Sequence, residues 1–334
     1  MSPDEHYTVD DATVGHKRPG ALQIGPRKRP SGTDPLVHHG RHFGRTVHAL
    51  CTVGALINNG ILRMGELATE AEDTFTHEER REHRVFQVLL QMIPGLEDRL
   101  MEGTNEDVLY VSELIQKGAS GARSDDTKSL KGAVLDWIAS RAAIEPSTST
   151  QCMDWSDVET KEKLRSGEMV IHGDQWPIFL YRGYYYDSED PWAGLFRSTL
   201  LVSGYKHIFT SPSSVEKEPK ATRSGNARIH GMTQVTPASI AYIATQVRFA
   251  LSSSPVFTRA DTTTDSERFY HSILDLFNNV DEKLEVNDLL TWWNRQVFAC
   301  YSSAQRPICQ NSALARIKEK RSKLKAITLN ASES

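Results

Sequence analysis

Lys217, Lys220, Arg223 and Arg228 are spaced three to five residues apart in a stretch of Ser, Gly, Asn and Pro, His207 to Pro237. Cations at that spacing on a polar backbone suit a phosphate chain or an acidic protein surface. Both are bound by charge-assisted hydrogen bonds from Arg and Lys. A second basic segment, RIKEKRSKLK, runs from Arg316 to Lys325 with six cations and one acid. On a helix, Arg316, Lys320 and Lys323 share one face by their spacing of four and three, and Arg321 lies beside them. Leu314, Ile317 and Leu324 form a partial apolar side. Such a helix can dock on a protein body or lie along DNA. A third cluster, Lys17, Arg18, Arg27, Lys28 and Arg29, falls in HKRPGALQIGPRKRP, which contains no acid. Short basic clusters of this kind in a tail can act as nuclear-import signals.

Other chemistry is suggested by the letters and withdrawn by the spacing. His77 and His83 in HEERREH stand six apart, so they point to different faces of a helix. A helical zinc site needs histidines four apart. His38, His39, His42 and His48 form a looser group beside Gly40 and Gly44, read as chance clustering among twelve histidines. GASGARSDD, Gly118 to Asp126, resembles an anion-binding turn before a helix. It lacks the Gly-Lys-Ser/Thr of a P-loop, and Asp125 and Asp126 already occupy the positive end of the dipole. Ser214 to Lys217 matches S-x-x-K in letters, but it falls in a loop rather than at a helix start. Cys51, Cys152, Cys300 and Cys309 include no C-x-x-C pair, so the expectation is idle thiols, with no metal and no cofactor. Trp176, Phe179, Tyr181, Tyr184, Tyr185, Tyr186 and Trp192 are read as an aromatic mini-core with at least one tyrosine near the surface.

The elements that must position these residues are helices. The 334 residues are 39% hydrophobic and 25% charged, a globular balance, and the net charge of −4 confines any polyanion contact to local patches. Apolar spacing suggests a helix from Val47 to Leu62, with a break near Asn59-Gly60. Thr76 to Glu79 is a capping box opening a helix to Ile93. Asn105 to Lys117 and Ser124 to Ile138 are read as two helices, with Gly118 capping the first. Ser156 to Glu159 is a second capping box before a short charged helix to Arg165. Asp190-Pro191 suggests a helix running to Phe209, and Thr236-Pro237 another start. Further helices are expected at Asp265 to Asn278, Asp281 to Tyr301 and Ser312 to Ile327. No segment alternates strictly and no unit repeats.

The expected fold is therefore all-α. It is an irregular multi-helix domain over 41–305 with one long polar loop, and a sub-boundary is placed near 141–153. A disordered tail, 1–40, precedes it, and a basic C-terminal helix and tail, 306–334, follows. No apolar run reads as a secretory signal or a membrane span, so a nuclear or cytoplasmic site is expected.

GRTVHALCTVGALINNGILRMGEL, ERREHRVFQVLLQMIPGLEDRLM, LIQKGASGARSDDTKSLKGAVLDWI, HIFTSPSSVEKEPKATRSGNARIHGMT and NDLLTWWNRQVFACYSSAQRP together resemble an uncharacterised multicopy family of mushroom-forming fungi. The resemblance covers about residues 40 to 325 and implies a fungal, intracellular protein. It carries over no fold, reaction or catalytic residue. The chain departs from that family where Arg141 to Trp155 is shorter. The functional expectation is a non-enzymatic nuclear protein that contacts DNA or chromatin through its basic segments. The alternatives are an adaptor whose basic loop binds an acidic protein, and an enzyme using the 176–192 aromatic region as a pocket.

Overall fold

The computed structural model describes residues 34–142, 172–215, 225–252 and 265–298, together with Glu162, Ser166, Phe257, Arg316, Ile317, Lys320 and Arg321. Residues 34–334 belong to one compact unit. The fold is all-α. Among the described residues no sheet forms, and the one β-bridge pairs Tyr181 with Leu195.

The helices are α1 (Pro35–Thr46), α2 (Val53–Met64), α3 (His77–Met92), α4 (Leu96–Glu102), α5 (Asn105–Ala142), α6 (Thr199–Tyr205), α7 (Asn226–Ile229), α8 (Pro237–Leu251), α9 (Ser266–Asn278) and α10 (Lys283–Val297). Their starts follow local chemistry. Asp34 accepts from the Leu36 N–H ahead of Pro35, whose ring needs no donor in the first turn. Thr76 and Glu79 close a reciprocal capping box on α3. Thr236 and Ser239 do the same on α8.

Two buried clusters make up the core. The first joins Leu36, Phe43, Val53, Leu56, Ile57, Phe86, Leu89 and Ile115 from α1 to α5. The second gathers Leu130 and Val134 of α5 with Leu201, Tyr205, Ile243, Val247, Phe269, Tyr270, Leu289 and Trp293. Thus α5 serves both, its first half in one cluster and its second half in the other. At 38 residues it is about 57 Å long, at 1.5 Å per residue. α8 is the central rod of the second cluster, buried from Ser239 to Val247 without interruption.

α1 crosses α5 in the most extensive helix contact of the molecule. The crossing is close because Gly40 and Gly44 face Ile115 and Ala119, while Gly118 faces Val37. A methyl group at Gly118 would overlap the Val37 carbonyl oxygen, and one at Gly40 would overlap the Ile115 carbonyl. A buried ion pair ties this crossing to α8. The Arg45 guanidinium donates to both oxygens of Asp126 at 2.7 Å, and the Tyr242 hydroxyl donates to the same carboxylate at 2.6 Å. Removing one partner of such a pair strands a buried charge, a loss of about 3–5 kcal/mol.

Several expectations need correcting. Gly118 does not cap a helix, and GASGARSDD is not a turn, because α5 runs through both. Those glycines make room for α1, and packing outweighs their poor helix propensity. The Val47–Leu62 helix is interrupted at 47–52 rather than at Asn59-Gly60, since Gly60 lies inside α2 against the Phe86 ring. α1 begins at Pro35, inside the 1–40 span expected to be a disordered tail. Asp190-Pro191 opens turns instead of a helix. Gly194 and Phe196 take positive φ there, and Ser198 caps α6 instead. α10 ends at Val297. The capping box at Ser156 lies outside the described residues.

Candidate functional site

Arg228 sits in the single turn of α7 and is exposed. Arg316, Lys320 and Arg321 are helical and exposed, and Ile317 between them is 53% exposed. None of these four cations has a carboxylate partner among the described residues. Five of the body's arginines contrast with them, whereas Arg84, Arg182 and Arg295 are equally exposed without such a partner among the described residues. Arg41 pairs with Asp125, Arg63 with Glu72, Arg99 with Asp107, Arg197 with Asp288 and Arg268 with Asp174. No hydrogen bond or ion pair joins Arg228 to the C-terminal cations among the described residues. Lys217, Lys220, Arg223 and Lys323 lie outside the described residues, as do Lys17, Arg18, Arg27, Lys28 and Arg29.

The long polar loop is more structured than its composition suggests. Its start, Lys206–Thr210, is a π-helical turn continuing α6, and Pro212–Val215 is a 3-10 turn. Its return is pinned at Gly225, where any side chain would strike the Thr210 carbonyl, and by Asn226, whose amide donates to the Ile208 carbonyl at 2.5 Å. Ala227 is buried in the second cluster. Just beyond Arg228, the His230 ring slots between two rings of α1. It stacks on His38 at 4.2 Å and on His42 at 4.3 Å. Burial and the neighbouring charge of Arg45 hold the His42 imidazolium down to about 4, and burial and His42 hold His230 down to about 3. The loose histidine group of the sequence is therefore half of a stack. Its third ring comes from some 190 residues away, and no local spacing could announce it.

A second constellation escapes the sequence entirely. An open cleft of about 850 Å³ separates the start of α3 from α9, lined by His77, Glu78, Arg81, Trp176, His271 and Asp275 among others. A smaller recess of about 220 Å³, lined by His48, Cys51, Glu82, Arg81 and His271, adjoins it through shared residues. Arg81 is buried, donating to Asp275 at 2.6 Å and bonding to Nδ1 of His271 at 2.6 Å. Burial and the Arg81 charge lower the His271 pKa, so its ring is neutral and Nδ1 accepts. The Trp176 indole is fixed by its N–H, which donates to the Ser272 hydroxyl at 3.0 Å.

Ser129 and His207 share a 2.6 Å hydrogen bond, the arrangement of a nucleophile and its base. Here it does not extend to acyl chemistry. Ser129 lies in mid-α5, where the backbone N–H groups are taken by the helix and none is left for an oxyanion. The pair instead braces the π-helical turn, with Trp137 edge-on to His207 at 5.6 Å. Phe179 and Tyr181 are buried, Tyr184 is half-buried and Tyr185 and Tyr186 are exposed, as the mini-core reading requires. Cys51 is partly buried, while Cys152, Cys300 and Cys309 lie outside the described residues. Among the described residues no group of three His, Cys, Asp or Glu side chains is placed to hold a metal ion, and no helix is long and apolar enough to cross a membrane.

Residues 151–298 match the model of a family of unknown function (DUF6698). The match takes in α6 to α10 and most of the second core cluster, and it leaves out α1 to α5. No curated protein and no solved structure matches the chain.

Proposed function

We propose that this chain, similar over residues 151–298 to a family with no assigned activity, is a non-enzymatic nuclear protein that contacts DNA or chromatin. The observation that carries the reading is the exposure of the cations in its two basic segments. Arg228, Arg316, Lys320 and Arg321 stand exposed without a carboxylate partner among the described residues. An unpaired surface guanidinium gives up only water when it meets a phosphate, and it binds phosphate bidentately. Lys217, Lys220, Arg223 and Lys323 extend the same two segments, and the stack at His230 fixes the chain beside Arg228.

The test is the salt dependence of binding to duplex DNA of unrelated sequences. Each neutralised phosphate adds a log–log slope of about −0.9. Replacing Lys220, Arg223 and Arg228 with Ala should flatten the slope by about 2–3 and weaken binding to all sequences alike. Wild-type protein without salt-sensitive DNA binding near physiological ionic strength would exclude this reading. It would favour the adaptor reading, in which the same cations meet an acidic protein that co-purifies after nuclease treatment.

A further inference from the structure

The cleft between α3 and α9 has a chemistry opposite to that of the basic segments. Its carboxylates are Glu78, Glu82 and Asp275, and its one strong cation is Arg81, so its lining carries a net negative charge. Arg81 is buried in the floor and engaged closely by Asp275 and His271 and more loosely, at 3.7 Å, by Glu78. Its positive end is therefore already answered from below. The carboxylates are not equally answered. Glu78 and Asp275 are 71% and 63% exposed at the side chain, and Asp275 uses only Oδ1 on Arg81. Glu82 uses only Oε2, which accepts from Asn59. Acceptor oxygens left open on three acids thus line two adjoining hollows, Asp275 the cleft, Glu82 the smaller recess and Glu78 both. A ligand that completes them must bring hydrogen-bond donors and positive charge.

The remaining wall narrows the ligand further. Trp176 lines the same cleft and cannot swing away, because its N–H is bonded to Ser272 and its ring packs on Phe196 at 5.3 Å. A fixed indole beside carboxylates accepts the methylene stem and the cationic head of a Lys or Arg side chain. The cleft also lies where the two core clusters meet, a common place for binding sites. We propose that this cleft binds a basic peptide segment, seating one Arg or Lys side chain against Trp176 with its donors on Glu78 and Asp275, and a neighbouring basic side chain on Glu82 in the adjoining recess. This site is independent of the polyanion reading, since it uses other residues and the opposite charge.

The experiment uses the full-length chain and a capped Gly-Lys-Gly-Arg-Gly peptide, with calorimetry and the indole N–H resonance of Trp176 as readouts. The peptide should bind and shift that resonance. A Gly-Gln-Gly-Gln-Gly peptide should do neither. Glu78→Gln/Glu82→Gln should weaken binding by tenfold or more without changing the melting temperature, because Glu78 is largely exposed and Glu82 half-exposed. Asp275→Asn should weaken it too, but that change removes the 2.6 Å ion pair of buried Arg81, whereas Glu78 meets Arg81 only at 3.7 Å, so the Glu double variant is the decisive one. A matched double variant at exposed acids outside the cleft, Glu189→Gln/Glu285→Gln, should bind like wild type. Absence of binding at millimolar peptide would overturn the proposal. So would equal weakening by both double variants, which would mean attraction to the net charge alone.

Discussion

At the scale of single residues, the molecule uses charge and burial in two ways. Arg45 is nearly inaccessible and is held by both oxygens of Asp126. The histidine stack carries no such counter-charge. Burial of His42 and His230 and the neighbouring Arg45 disfavour a proton on those two rings. In the unfolded chain these imidazoles bind protons near the usual 6.5, whereas in the fold His42 does so at about 4 and His230 at about 3. Between those values the unfolded chain holds more protons, so stability rises with pH. There is no penalty above about pH 7, and stability is lost as pH falls from 6.5 towards 4 and then 3. His230→Phe keeps an aromatic plate in the stack and removes one titrating group. Urea midpoints measured from pH 7 to 4.5 should fall less steeply for the variant than for wild type. Parallel curves would show that carboxylates alone set the acid sensitivity.

At the scale of elements, glycine placement decides the packing. Gly118 and Gly132 both lie in α5, but a methyl group at Gly132 meets nothing within 4 Å, while at Gly118 it meets α1 backbone. Gly132→Ala should therefore stabilise by up to about 1 kcal/mol, through helix propensity. Gly118→Ala should destabilise by about 1–3 kcal/mol, through overpacking that offsets the same gain. Denaturant unfolding of the two variants measures both, and equal effects would refute the close-crossing account. The same pair explains what was legible in the sequence. Helix starts with side-chain caps, such as Thr76-Glu79 and Thr236-Pro237, could be read directly, because a cap is a local event. Asp34-Pro35 carries the same signature inside the span expected to be a tail. The glycines of GASGARSDD could not be read, because their purpose lies on another helix. The candidate sites follow the same rule. Runs of cations are visible as runs, whereas Arg81 with His271 and Asp275, or His230 with His38 and His42, are joined by tertiary structure alone.

At the scale of the whole molecule, the region matching the family model is not a self-sufficient core. Its buried cluster is completed by Leu130 and Val134 of α5 and by Ala49 and Leu50 ahead of α2. Tyr242 finds its acceptor on Asp126, and Gln246 accepts from Thr127, all across the boundary of the match. Residues 151–298 expressed alone should lack a cooperative thermal transition and expose apolar surface to a hydrophobic dye. Residues 34–298 should unfold in one transition. A cooperative, dye-silent 151–298 fragment would show that α5 is dispensable to the second cluster.

The shared helix α5 also has a consequence for the order of events on the ribosome. Its first half finds its partners, α1 to α3, among residues synthesised before it. Its second half does not. Leu130 and Val134 wait for α8, whose last turns emerge roughly a hundred residues later, about 5–20 s at the usual pace of synthesis. During that interval the nascent chain holds a finished amino-terminal half from which an unsheathed apolar edge projects. That edge is a natural landing place for a chaperone, and the point where pausing in translation would do most harm.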